Sequence, residues 1–193
     1  MDDFEGIALP DRLPEILEAT RALGFLRSSD LLVGNLLRTL AATKPGGRLL
    51  ELGTGTGVGT SWLLDGMDRA AGLVTVERDA AVQEVARRVL GADPRVRFVT
   101  GDGEDFMRSQ APESYDLIFA DGGAGKFTHL DLALALLRPG AIYLVDNMTP
   151  HLFHPPGRAA KLREFWDNVA TRTDLLVTRL SWSSGVILCT RRR

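Results

Sequence analysis

The run Leu49-Leu50-Glu51-Leu52-Gly53-Thr54-Gly55-Thr56-Gly57 sets a carboxylate two residues ahead of three alternating glycines. A short apolar stretch ends there, and Val58-Gly59-Thr60-Ser61-Trp62-Leu63-Leu64 opens a helical pattern. Such a run turns a strand sharply into a helix. Glycine supplies the unusual dihedrals and leaves backbone bare where a ligand must approach closely. The helix aims its free amide groups and the positive end of its dipole into the turn. This describes a nucleotide-type site at the carboxyl edge of a parallel sheet. The spacing G-x-G-x-G-x-G departs from the G-x-G-x-x-G of dinucleotide binders. Glu51 would repel a pyrophosphate and suits a ligand carrying positive charge. A ligand-free glycine turn and an NAD site are the competing readings.

Other strand ends add polar groups to the same crevice. Glu77-Arg78 closes the second strand, and Glu77 stands 77 − 57 = 20 residues after Gly57. A carboxylate there can accept both hydroxyls of a ribose; the alternative is a cap for the helix that follows, which Asp79 can supply alone. Gly101-Asp102-Gly103-Glu104 closes the third strand, where Asp102 also reads as a helix cap. The fourth ends at Asp121, followed by Gly122-Gly123-Ala124-Gly125-Lys126, and the fifth at Asp146-Asn147. Asp121, Asp146 and Asn147 bring hard oxygen donors together at neighbouring strand ends, which suits Mg2+. Asp121 and Asp146 equally suit direct contact with substrate or with a cationic part of the bound cofactor, without any ion. His151 and His154, three apart, read as acid/base groups on a substrate-side loop or as surface packing. Pro155 and Pro156 argue against their presentation on a helix.

The elements that must position these groups are legible from glycine, proline and aspartate punctuation. Helices are expected over 14–23 and 30–43, the second capped by Ser29. A strand through Leu52 is followed by helix 60–67, strand 73–77, helix 80–90, strand 95–100 and helix 104–109. Strand 115–120, helix 127–137 and strand 141–145 complete a βαβ series, which demands a parallel sheet with helices on both faces. After helix 159–170, strands 175–180 and 185–190 are joined too closely for anything but antiparallel pairing. The expected fold is α/β and Rossmann-like: a mostly parallel seven-stranded sheet closed by a C-terminal antiparallel hairpin. One domain over 1–193 is expected, with 1–45 a helical lid or dimer region. Trp62, Trp166 and Trp182 read as core or wall aromatics, Trp182 being the best placed to touch substrate.

Composition narrows the classes. The chain has 193 residues, 45% apolar and 25% charged, with a net charge of −2. That balance fits a soluble globular protein and gives no electrostatic case for nucleic-acid binding. Cys189 is the only cysteine, so no disulfide framework or cysteine-based zinc site forms within one chain. The acidic start is unlike a secretory signal, and no apolar run is long enough to span a bilayer. A cytoplasmic protein with no membrane partner is expected.

At Glu51, Gly53, Gly55 and Gly57 the chain resembles class I S-adenosylmethionine-dependent methyltransferases, whose first motif is an acid, an apolar residue, then G-x-G-x-G. With Asp121, Asp146 and Asn147 it resembles, more narrowly, the catechol O-methyltransferase-like family. The likeness runs from Leu26 onward and includes Leu137-Arg138-Pro139-Gly140 and the closing hairpin. It implies S-adenosylmethionine as cofactor. Glu51 would face the cationic amino-acid end, Glu77 and Arg78 the ribose, and Asp102 with Gly103 the adenine. It implies a metal held by Asp121, Asp146 and Asn147, O-methylation of a small phenolic or similar substrate, and a homodimer. The family's lysine stands three residues after the first aspartate and acts as general base. Here Lys126 stands five after Asp121, and reads either as that base, with Asp121 and His151, or as a solvated residue. A methyltransferase acting on a macromolecule, a non-catalytic S-adenosylmethionine binder and an NAD-linked dehydrogenase are the rivals.

Overall fold

A computed structural model describes residues 3–26, 28–150 and 156–193. Helices α1 (Leu13–Ala22) and α2 (Leu31–Ala42) precede β1 (Arg48–Leu52), α3 (Val58–Gly66), β2 (Gly72–Glu77), α4 (Ala80–Leu90) and β3 (Val96–Thr100). Then come α5 (Gly103–Arg108), β4 (Tyr115–Ala120), α6 (Leu130–Ala135), β5 (Leu137–Val145), α7 (Arg158–Ala170), β6 (Leu175–Leu180) and β7 (Val186–Arg191). The seven strands lie in the order β3-β2-β1-β4-β5-β7-β6. β7 pairs antiparallel with both β5 and β6, and the other pairings are parallel. The Rossmann-like sheet and its antiparallel closure are as expected.

Strand alternation divides the core. Leu49, Leu117, Phe119 and Leu144 pack on one face with Val33, Leu37, Trp62 and Leu63. Leu50, Leu52, Ile118, Tyr143 and Val145 pack on the other with Phe106, Leu134 and Phe165. Both faces are covered, which is why these strands read as continuous apolar runs.

Three local expectations need correction. The cap of α2 is Asp30, whose side chain accepts from the Val33 amide at 2.9 Å, and Ser29 has other work. α6 is shorter than expected because 123–128 form a loop bonded to itself: the Gly123 carbonyl accepts from the amides of Lys126, Phe127 and Thr128. β5 starts earlier, since Leu137 already pairs with Tyr115 and the register shifts before Leu117. Pro139 is tolerated within that irregularity. Among the described residues, no helix is long and apolar enough to cross a membrane.

Candidate active site

The glycine turn leaves β1 with positive φ at Gly53 (108°), Gly55 (54°) and Gly57 (97°). Space also demands glycine. A Cβ on Gly53 would stand 2.6 Å from the Gly122 nitrogen, and one on Gly57 2.7 Å from the Ala86 Cβ. The amides of Gly53 and Thr54 donate to the Val76 carbonyl at 2.9 and 3.2 Å, tying the turn to β2.

Beside this turn opens a cleft of about 550 Å³ along the carboxyl ends of β1 to β4. Gly53, Gly55, Glu77, Arg78, Asp102, Gly103 and Asp121 all line it; Gly57, expected with them, does not, because its Cα faces Ala86 of α4 instead. Glu77 ends β2, and its Oε2 accepts from the Gly55 amide at 3.1 Å. Its other oxygen accepts from the Asp79 amide at 3.1 Å, while Asp79 itself caps α4. Asp102 caps α5 through the Glu104 amide at 2.7 Å and also lines the cleft. Phe25, Ser29 and His129 line the cleft as well. The His129 Nε2 lies 2.9 Å from Glu104 Oε2. No sequence motif marks these residues. Ser29 alone carried a signal, a hydroxyl before a helix, and that signal suggested a cap.

Glu51 requires a correction. It is fully buried and does not line the cleft. β1 continues to Leu52, so the Glu51 side chain leaves on a sheet face beneath α3 rather than at the strand tip. Its Oε2 accepts from the Thr60 and Thr75 hydroxyls at 2.5 and 2.6 Å. Because Thr75 donates to Glu51, Thr54 must donate to Thr75 at 2.6 Å, and Gln83 donates in turn to Thr54 at 3.0 Å. Every donor in this network points toward Glu51, while its Oε1 has no hydrogen-bond partner among the described residues. Burial pushes the carboxyl up to about 8, against the two threonine hydrogen bonds. The native state therefore holds a proton that the unfolded chain releases near 4.5, and stability falls as pH rises from about 4.5 through 8. Glu51→Gln mimics the protonated form and should remove this slope. Melting temperatures from pH 5 to 9 should show the variant overtaking the parent toward pH 9, whereas parallel curves would refute the assignment.

At the ends of β4 and β5 the structure brings together Asp121, Asp146, Asn147 and Lys126. Asp121 accepts from Ser29 at 3.1 Å and from the Asn147 amide group at 3.0 Å. Asp146 accepts from the Asn147 backbone at 2.5 Å, the Asn147 side chain at 3.3 Å and the Ser184 hydroxyl. Burial pushes both carboxyls up and the lysine amine down, while attraction between Lys126 and the two carboxylates opposes those shifts.

Lys126 is neither in the cleft nor solvated. It is 2% exposed, and its ammonium donates to the Asp146 backbone carbonyl. The donor set as built does not fit a divalent ion, which needs several oxygen lone pairs converging on it. Asn147 turns its NH2 toward both carboxylates, and the Lys126 ammonium on the Asp146 backbone carbonyl already adds positive charge beside them. Of the expected metal ligands only Asp121 lines the cleft. Among the described residues no group of three or more His, Cys, Asp and Glu gathers as a metal site. His151 and His154, the other candidates for acid/base work, lie outside the described residues. Trp182 does not line the cleft; its indole donates to Asp3 at 2.8 Å.

Residues 50–148, just over half of the chain, match the family model described as a methyltransferase domain. A protein of Mycobacterium sp. (strain JLS), provisionally named an O-methyltransferase, is 36% identical over 120 residues. That match covers 60% of this chain and 54% of the relative, so the chain spans about half the length of the curated relatives it matches. The O-methyltransferase TomG of Streptomyces achromogenes, involved in tomaymycin synthesis and solved with S-adenosylmethionine, superposes with a TM-score of 0.84. It is 25% identical, over 98% of this chain and 93% of its own. An O-methyltransferase from Bacillus cereus, solved with S-adenosylhomocysteine, has the same fold with a TM-score of 0.85. It is 24% identical, over 97% of this chain and 94% of its own.

Proposed function

The chain belongs to the methyltransferase-domain family matched over residues 50–148, and from that premise we propose that it methylates a hydroxyl oxygen of a small molecule using S-adenosylmethionine. The observation that carries this reading is the cleft itself: bare glycine backbone at one strand end, with carboxylates at the next three. The chain's own residues fit the cofactor. At Gly55 a Cβ would stand 3.3 Å from the Phe25 ring, narrowing the cleft where a ligand must pass. Glu77 keeps lone pairs for two ribose hydroxyls. Asp102 and the Gly103 amide offer an acceptor and a donor to an adenine edge. Bound there, S-adenosylmethionine would supply a methyl group activated by its sulfonium.

Asp121, not Glu51, meets the cationic end in this assignment, because it lines the cleft beside Ser29 and Phe25. Holding donor and acceptor close in a walled cleft accounts for much of the acceleration such a transfer needs. A cleft of about 550 Å³ suits a nucleoside-sized cofactor with a small acceptor rather than a macromolecular one. The role of the mycobacterial and Streptomyces relatives supports oxygen as the target.

The test is release of S-adenosylhomocysteine with matched phenols, aliphatic alcohols and amines. Turnover that depends on a hydroxyl is the expected result. Turnover with amines alone, or none without an added protein or nucleic acid, would overturn the small-hydroxyl reading.

A further inference from the structure

We infer that the Lys126 ammonium is the built-in cation between the β4 and β5 ends, so that this chain takes no divalent ion there. The corollary, that methyl transfer proceeds without a metal, rests on the function proposed above.

Four residues separate Asp121 from Lys126, two more than in the family that the sequence resembles. They let 122–128 fold into a closed loop: the Gly125 amide donates to Thr128 at 2.8 Å, and the Gly125 carbonyl accepts from the buried Tyr143 hydroxyl. Gly125 has φ +77°, and a Cβ there would stand 2.7 Å from Leu52. The loop is therefore pinned on both sides, and it turns Lys126 inward. The amine ends on the Asp146 carbonyl, within attraction of both Asp121 and Asp146.

A buried ammonium persists only where opposite charge and acceptors surround it. The Asp146 backbone carbonyl is the acceptor, and the nearby charges of Asp121 and Asp146 favour the ammonium without a direct ion pair to either. Arg158 adds a second positive charge acting on Asp121, and its guanidinium lies 4.2 Å from the centre of the Phe127 ring. Asn147, held at φ 57°, is committed as a donor to the same carboxylates. A divalent ion entering here would have to meet the positive charges of Lys126 and Arg158 and turn the Asn147 amide.

Titration of Mn2+ alone, followed by electron paramagnetic resonance, tests this on the full chain. The wild type should show no site at millimolar Mn2+. Lys126→Ala should acquire one, at least about tenfold tighter, and lose it again when Asp146→Asn is added. A wild-type site that disappears in Asp146→Asn would overturn the inference. So would a folded Lys126→Ala that binds no better than the parent. Should Lys126→Ala not fold, the wild-type arm decides alone: silence supports the inference and an Asp146-dependent site overturns it. S-adenosylmethionine is titrated into the same samples in chelator. Loss of that binding in the wild type would refute the cofactor assignment and leave the Mn2+ result standing by itself.

Discussion

Glu77→Ala is expected to weaken S-adenosylmethionine binding by roughly 10- to 100-fold, about 1.5–3 kcal/mol for hydrogen bonds to one charged group. Two effects combine. The variant loses the acceptor for the ribose, and it frees the Gly55 amide that Glu77 holds at 3.1 Å. The competing role, capping α4, is already filled by Asp79, which accepts from Ala81 and Val82 at 3.0 and 3.2 Å. Calorimetry and thermal melting of the free protein separate the two. A large loss of affinity with a melting temperature changed by only a few degrees is the expected pair of results. Unchanged affinity with a lowered melting temperature would reduce Glu77 to a structural residue.

Gly53→Ala should produce a large loss of stability. The backbone there has φ 108°, outside the region an L side chain adopts readily. The new Cβ would meet Gly122 nitrogen at 2.6 Å and its Cα at 3.0 Å, and both are backbone that cannot rotate aside. Strain of about 1–3 kcal/mol and overpacking of about 1–3 kcal/mol add to roughly 2–6 kcal/mol. For a chain of this size that is a fall in melting temperature of roughly 5–20 °C. Because Gly122 follows Asp121, the push also moves the carboxylate at the cleft, and cofactor affinity should fall with stability. Gly72→Ala is the control, since a Cβ there meets nothing within 4 Å. Equal melting temperatures for the two variants would contradict the close approach of β1 and β4 on which the cleft depends.

How far the sequence disclosed this site follows from where each residue stands on its strand. Glu77, Asp102, Asp121 and Asp146 lie at or just past the ends of strands that apolar runs delimit clearly, so topology alone brings them to one edge. Glu51 misled because the strand runs one residue beyond it. Alternation then sends its side chain under the sheet-covering helix, where Thr54, Thr75 and Gln83 complete a network that no local spacing announces. Lys126 misled for a different reason. Its spacing from Asp121 says nothing of the fixed loop that the carbonyls and amides of the intervening glycines close. Phe25 and Ser29 come from a segment remote in sequence and reach the cleft only through tertiary packing, while His129 is brought there by the loop that follows Asp121.

In the proposed assignment the glycine turn and Glu77 together form the S-adenosylmethionine site. Its most direct test is calorimetric titration of S-adenosylmethionine and, separately, of NAD into the wild-type chain in chelator. Saturable heat from the first and none from the second is the result expected here. Heat from NAD with none from S-adenosylmethionine would contradict it, and would return the cleft to a dinucleotide.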